Sequence, residues 1–397
     1  MAGSDIRMAS TTRIDQRSAF PPLLVSVLLL GIADSVVGPY LVLFAANEAG
    51  LSPLQVGAFL SLISVSGLVV SSWLGRRYDR SASRWPAVVA VAAPAAGYLA
   101  LTATTDYPMV LLIGVGLLGA GLAAFPQLFS LARTHLDRED TSIARRGTPA
   151  LRSVWSLAWA VGPMIGAAVL SRQGYDGLLL FTAAAFSLVA VPLLLIGRTP
   201  RTEQPVDAEA DGKGISRTML VAAGSFTLFH TAMLSGSVVL PLYVTRTLHQ
   251  GAGDVGLLFT VCALIEIPAA LGIMLLPARF PKRPVILVGM ALFGVYFLLV
   301  AVSSSMPTLI ATQLARGVAI ATVGTLGITY VQDLAPHATG RATTLFANTL
   351  TIGSLVSGVL AGATAQALGY RSALVICGLL AALGLVVLVS SRPDRRS

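Results

Sequence analysis

The chain has 397 residues, 55% hydrophobic and 11% charged, with a net charge of +9 and a mean hydropathy of +0.79. Soluble domains carry about 25% charged residues, so a soluble enzyme, a disordered chain and a disulfide scaffold are excluded and a polytopic membrane protein remains. The positive charges sit in short clusters between apolar runs, which argues against nucleic acid as a partner and for the lipid bilayer.

In chain order, residues 1–19 form a tail carrying Arg7, Arg13 and Arg17. The apolar run behind it is too long for a signal peptide and contains Asp34, so it is read as the first span. Twelve runs are long enough for spanning helices, which need roughly 20 apolar residues. They are 20–45, 53–75, 86–104, 107–132, 148–171, 176–197, 218–244, 252–276, 284–303, 306–331, 339–364 and 370–390. Barrel strands need only about ten residues, so the predicted fold is all-α. Cys262 and Cys377 lie inside apolar runs without zinc or disulfide spacing and read as buried small residues.

Charge sets the expected topology. With the N-terminus in the cytoplasm, the inner loops hold Arg76, Arg77, Arg80, Arg84, Arg133, Arg138, Arg145, Arg146, Arg198, Arg201, Lys213, Arg217, Arg279, Lys282, Arg283 and Arg341. Arg392, Arg395 and Arg396 close the chain on the same side, and the outer loops keep only Arg172, Arg246 and Arg371. Basic loops stay inside, so both termini are expected in the cytoplasm, with the protein multi-pass in its membrane.

Segment 198–217 has prolines, acids and no apolar run, and reads as a cytoplasmic linker between six-span bundles 20–197 and 218–390, followed by a cytoplasmic tail 391–397. Internal repeats agree. Val56-Gly57 recurs as Val255-Gly256, Arg80 and Arg84 recur as Arg279 and Arg283, and Gly174-Tyr175 recurs as Gly369-Tyr370. Two related six-helix bundles joined by a linker resemble the major facilitator superfamily. The string Gly75-Arg-Arg-Tyr-Asp79-Arg80 resembles that superfamily's loop signature after the second helix. Asp79, Arg80 and Arg84 are the expected latch, a carboxylate and arginines that pair with a helix end in one state and release it in another.

Ionisable groups at membrane depth are costly and functional by default. Asp34 and Glu266 are the proton-coupling candidates, since a carboxyl in a low-dielectric cavity can load and unload a proton near neutral pH. A permanent ion pair of Glu266 with Arg316 is the competing reading, with Arg316 as charge partner. His230 is read as a substrate contact or a structural histidine. On span 5, Arg152, Trp155, Ser156 and Trp159 share one helical face. Indoles beside polar groups suit the C–H faces and hydroxyls of sugars; the competing reading is packing on lipid or another helix. Gly162-Pro163-Met164-Ile165-Gly166 permits close helix packing and resembles a motif of superfamily antiporters that export.

Five strings narrow the resemblance: Pro126-Gln-Leu-Phe-Ser-Leu-Ala-Arg133, Leu151 to Pro163, Glu266-Ile-Pro268, Gln332-Asp-Leu-Ala-Pro336 and Ala342 to Asn348. In this order they resemble the bacterial sugar efflux transporter family. The resemblance implies export of sugars or glycosides, in exchange for protons, by rocking of two bundles about a midplane cavity. It carries over Gln127, Arg133, Arg152, Trp159, Glu266, Gln332, Asp333 and Asn348. Gln127 and Asn348 would face substrate, and Arg133 and Asp333 would lie near the cytoplasmic gate. Asp34 and Arg316 stand outside these strings; a charged pair added to the cavity would favour a cationic or differently shaped ligand. No enzyme motif, cofactor or metal is expected, and one chain holds the whole two-bundle machine, so a monomer suffices. A multidrug–proton antiporter for lipophilic or cationic compounds is the alternative, and a transport-inactive membrane sensor the remote one.

Overall fold

The computed structural model describes residues 20–81, 83–136, 141–195, 216–275, 277 and 280–390. The two tails, nearly all of the linker and Arg279 lie outside them, as do the side chains of Arg145 and Arg146. The described residues are helical, without a strand. Among the described residues nine helices are long and apolar enough to cross a membrane, and a tenth, Trp85–Leu101, is shorter. Two of the nine are double length and break at a glycine in the left-handed region, Gly174 (φ 68°) and Gly369 (φ 81°). Split there, the chain runs through twelve apolar segments. They are α1 Phe20–Glu48, α2 Pro53–Ser81, α3 Trp85–Leu101, α4 Tyr107–Leu136, α5 141–173 and α6 175–195. The second bundle has α7 Arg217–Thr247, α8 Ala252–Met274, α9 Lys282–Val302, α10 Met306–Asp333, α11 339–368 and α12 370–390.

Local chemistry sets the helix ends. The Ser216 hydroxyl accepts from Met219 N–H and caps α7, the Asp254 carboxylate accepts from Gly251 N–H ahead of α8, and α3, α4 and α10 start on prolines. Within the spans, Ser26, Ser35, Ser64, Thr182 and Thr322 donate to carbonyls one turn back, which hides hydroxyls from lipid. One expectation shifts. Gly75 to Ser81, read as loop, continues α2 as helix, so the Asp79 and Arg80 signature is the last turn of a span.

Each bundle packs around its own centre, α1 on α5–α6 and α7 on α11–α12. The bundles meet where α2 crosses α11, α5 crosses α8 and α1 approaches α7. Lipid tails are as apolar as leucine, so close backbone approach drives this association. A methyl group on Gly57 would lie 2.2 Å from the Gly358 carbonyl, and one on Gly358 2.4 Å from the Gly57 carbonyl. Apolar side chains such as Leu112, Leu195, Val288 and Val302 face outward, and Trp73 and Trp85 stand exposed near the basic loops, where indoles anchor helices at the interface.

Candidate functional site

The end that carries Arg76, Arg77, Arg80, Arg84, Lys282 and Arg283 is called here the basic end; the turns at Gly50, Gly174, His249 and Gly369 mark the opposite end. Bonds that join the bundles gather toward the opposite end. Arg246 of α7 donates to the Asn47 side chain at 3.0 and 3.2 Å and to the Ala46 carbonyl, and Asn47 donates to the Tyr175 hydroxyl. Leu54 N–H donates to Gln366 Oε1 at 3.1 Å, and Val359 N–H to Ser61 Oγ at 3.0 Å. Below this seam the two bundles present facing walls.

The first wall is built on α1, α4 and α5. Gly162 and Gly166 let α5 sit against Ser35, the Val36 carbonyl and the Tyr40 ring, and the Tyr40 hydroxyl donates to the Pro163 carbonyl at 2.6 Å. Gly256 of α8 closes on the same carbonyl from the second bundle. This packing places the half-buried Trp159 ring against Gly38. Trp155 lies against Gly31 and meets Phe125 edge to face at 4.7 Å, with Phe129 stacked beyond. The Trp159 indole N–H and Gln127 Oε1 are both buried and without a hydrogen-bond partner. Asp34 is half-buried on α1 and makes no ion pair among the described residues. Arg152 is exposed at the basic end of α5.

The second wall is built on α7, α8, α10 and α11. Thr349 donates its hydroxyl to the Phe346 carbonyl at 2.6 Å, so at 2.9 Å it accepts from His230 Nδ1–H. Phe229 and Phe346 flank that ring, so His230 ties α7 to α11 in an aromatic box. Arg316 is buried. Its guanidinium donates to Ser237 Oγ at 3.1 Å and Gln313 Oε1 at 3.4 Å, and lies 4.6 Å above the Phe259 ring. Among the described residues it makes no ion pair, so the permanent pair with Glu266 considered from sequence is not formed. Glu266 is half-buried on α8, and Asn348 is exposed on α11.

The gate residues divide. Asp79, Arg80 and Arg133 are exposed at the basic end. Arg84 donates to the Leu194 carbonyl at 2.6 Å, inside the first bundle. Asp333 pairs with Lys282 at 2.7 Å, inside the second, and Gln332 donates to the Thr343 hydroxyl at 2.9 Å. A groove of about 760 Å³ between α9 and α10 is lined by Leu299, Val302 and Leu314 and faces outward, away from these polar groups. The seam residues Asn47, Arg246, Gln366 and Ser61 escape a search for charges at membrane depth, because three are neutral and Arg246 reads as a loop charge. The signal that finds them is the repeat: Asn47 stands before Val56-Gly57 where Arg246 stands before Val255-Gly256.

These features define a two-bundle membrane transporter fold with polar walls between the bundles. The sequence profile described as Major Facilitator Superfamily matches residues 23–235 and 218–397. A Deinococcus radiodurans protein named for sugar efflux transport is 40% identical over 94% of this chain and 98% of its own length. Sugar efflux transporter A of Dickeya chrysanthemi is 31% identical over 89% of this chain and 90% of its own. Nucleoside transporter NupG superposes with a TM-score of 0.78 at 14% identity, covering 95% of this chain and 100% of that one. An inward-facing bacterial homologue of the lysosomal transporter Spinster superposes with a TM-score of 0.74 at 12% identity, covering 93% and 95%. The chain belongs to the major facilitator superfamily, and within it to the bacterial sugar efflux transporters.

Proposed function

We propose that this protein exports sugars or glycosides across the bacterial inner membrane, in exchange for protons, by alternating access. The observation that carries the reading is the pair of buried, unpartnered polar atoms on the first wall, the Trp159 indole N–H and Gln127 Oε1. One is a donor and one an acceptor, and a buried polar group without a partner is costly. A sugar hydroxyl both donates and accepts, and its ring offers C–H faces to the indole. The names of the relatives support the same substrate class. The basic end faces the cytoplasm by the positive-inside rule, which puts both termini inside. With the bundles joined at the opposite end, the walls are then reached from the cytoplasm. Asp34 and Glu266, half-buried carboxyls on the two walls, are the groups that exchange protons as the bundles rock. A single chain performs the cycle.

Binding of a panel of mono- and disaccharides, aryl glycosides and two lipophilic cations to purified protein tests this. Trp159→Ala is expected to weaken glycoside binding about tenfold, near 1.4 kcal/mol. Trp155→Ala has a smaller effect, because its ring is already packed on Phe125. Binding confined to the cations, and lost in Asp34→Asn, would replace the sugar reading with drug–proton antiport.

A further inference from the structure

One flank of α2 changes its chemistry in order along the helix. Gly57 and Ser61 turn to α11, and Ser66 and Gly67 turn to α4. Between these contacts Leu62, Val65, Val69, Trp73, Arg76 and Arg80 follow one another three or four residues apart, which puts them on one face. All six are exposed, Val69 by 63% and Trp73 by 53%. The flank on the far side, with Leu60, Ser64, Ser71 and Gly75, is half-buried. An exposed apolar face on a spanning helix lies against lipid tails, so the first flank looks into the bilayer.

Depth and charge then fit one kind of neighbour. Val65 and Trp73 are eight residues apart, about 12 Å along the axis, close to the tail depth of one leaflet in a hydrocarbon layer about 30 Å thick. The indole stands at headgroup level, where such rings collect, and Arg76 and Arg80 lie about 5 and 10 Å beyond it. Trp85, exposed at the start of α3, adds a second indole at the basic end. Asp79, the acid on this turn, makes no ion pair among the described residues, so the two arginines keep their charge for the lipid surface. The second bundle does not repeat the stripe. With Arg80 aligned on Arg279, the places of Trp73 and Arg76 are taken by Gly272 and Leu275, and α8 ends at Met274 without a cation. Both bundles obey the positive-inside rule, so that rule alone does not call for the stripe.

We infer that this flank of α2 binds an anionic phospholipid, with the phosphate on Arg76 and Arg80, the glycerol against Trp73 and one tail along Val69 and Val65. Guanidinium groups pair phosphate oxygens through parallel N–H bonds, and basic side chains just beyond a span favour anionic headgroups. A zwitterionic headgroup brings its own cation among the arginines and fits less well. The site lies on the lipid side of α2, away from the polar walls, so it stands whatever the molecule transports.

Fluorescence tests this on purified full-length protein in phosphatidylcholine vesicles. A minor share of the lipid is replaced by brominated phosphatidylglycerol or, in parallel, by brominated phosphatidylcholine. Bromine quenches an indole only at close range, and the difference between the wild type and Trp73→Phe isolates Trp73. In the wild type, phosphatidylglycerol is expected to occupy this position about fivefold in excess of phosphatidylcholine. Arg76→Ala combined with Arg80→Ala should bring the ratio close to one, while Lys282→Ala, in the other bundle, should leave it unchanged. Arg76→Gln alone should lower the ratio about twofold, which keeps the question open to test should the double variant fail to fold. A wild-type ratio near one overturns the inference and makes the arginines an ordinary solvated helix end. A ratio that survives in the double variant overturns it as well, by assigning the preference to the basic end as a whole.

Discussion

The two ends of the molecule hold their helices in different ways. At the opposite end, bonds run from bundle to bundle: Arg246 to Asn47, Leu54 to Gln366, Val359 to Ser61, with Gly57 and Gly358 pressed together beneath. At the basic end, the bonds described stay inside a bundle: Arg84 to Leu194, Arg283 to Leu388, Lys282 to Asp333. The basic-end bonds fix each bundle as a body. The seam bonds fix the angle between bodies, and three of the five come from the single guanidinium of Arg246. The proposed alternating access needs this division, because under that reading a seam breaks at every cycle while a body does not.

The largest effect is expected from wedging the seam. A leucine at Gly358 drives a side chain into the Gly57 carbonyl and Ser61, and backbone cannot move aside as a flexible side chain can. Overpacking of this kind costs about 1–3 kcal/mol or more, all of it in the joined state. Gly358→Leu is expected to abolish glycoside efflux from cells at normal membrane abundance. Gly224→Leu, with no atom within 4 Å of its added carbon, should retain most of it. Equal loss in the two variants would mean that the glycine seam is no more than ordinary helix surface.

The same contrast explains what could be read from the sequence. An all-α polytopic fold and the break between α5 and α6 were legible, because lipid imposes long apolar runs and a tight turn imposes Gly174 and Gly369. The stripe of Trp155 and Trp159 was legible as a face of α5, but their partners were not; the contact of Trp155 with Phe125 depends on how α4 meets α5. His230 read as either a substrate contact or a structural histidine, because titratable groups at depth are rare. Its partner Thr349 is far along the chain, and the aromatic box around it follows only from how α7 meets α11. Asp79 and Arg80 looked like a loop because their composition is polar, yet helix α2 runs out of the apolar layer and carries them on its last turn.

A middle-sized effect should come from loosening the seam without wedging it. Arg246 and Asn47 occupy matching places in the two bundles, within helical turns that widen alike at Phe44–Glu48 and Tyr243–Thr247. They meet where the bundles approach one another. Arg246→Ala removes three hydrogen bonds that cross the seam. With net values of about 0.5–1.5 kcal/mol for such a bond and exposure to water lowering the yield, a shift of about five- to tenfold toward opening is expected. A cysteine at Ser61, buried in the joined state, reports it, read by a membrane-impermeant maleimide against the buried Cys262 and Cys377. Labelling that stays at the wild-type rate would assign the seam to the glycines alone.

The smallest effect sharpens the other side of the comparison. Arg84 and Arg283 stand at the starts of α3 and α9 and donate to the last carbonyls of α6 and α12, Leu194 at 2.6 Å and Leu388 at 2.9 Å. A cation at a helix C-terminus satisfies carbonyls that have no partner along the helix and sits well in the helix dipole. Neither bond crosses between bundles, so neither has to break when they rock. Arg84→Gln and Arg283→Gln are each expected to cost about 1 kcal/mol of stability, a fall of a few degrees in Tm, with efflux per folded molecule close to wild type. The two losses should be alike, since repeated sequence has made the same bond twice. Loss of efflux in Arg84→Gln at unchanged Tm would instead return this arginine to the gate that its motif first suggested, and the basic end would then hold a latch as well as two bodies.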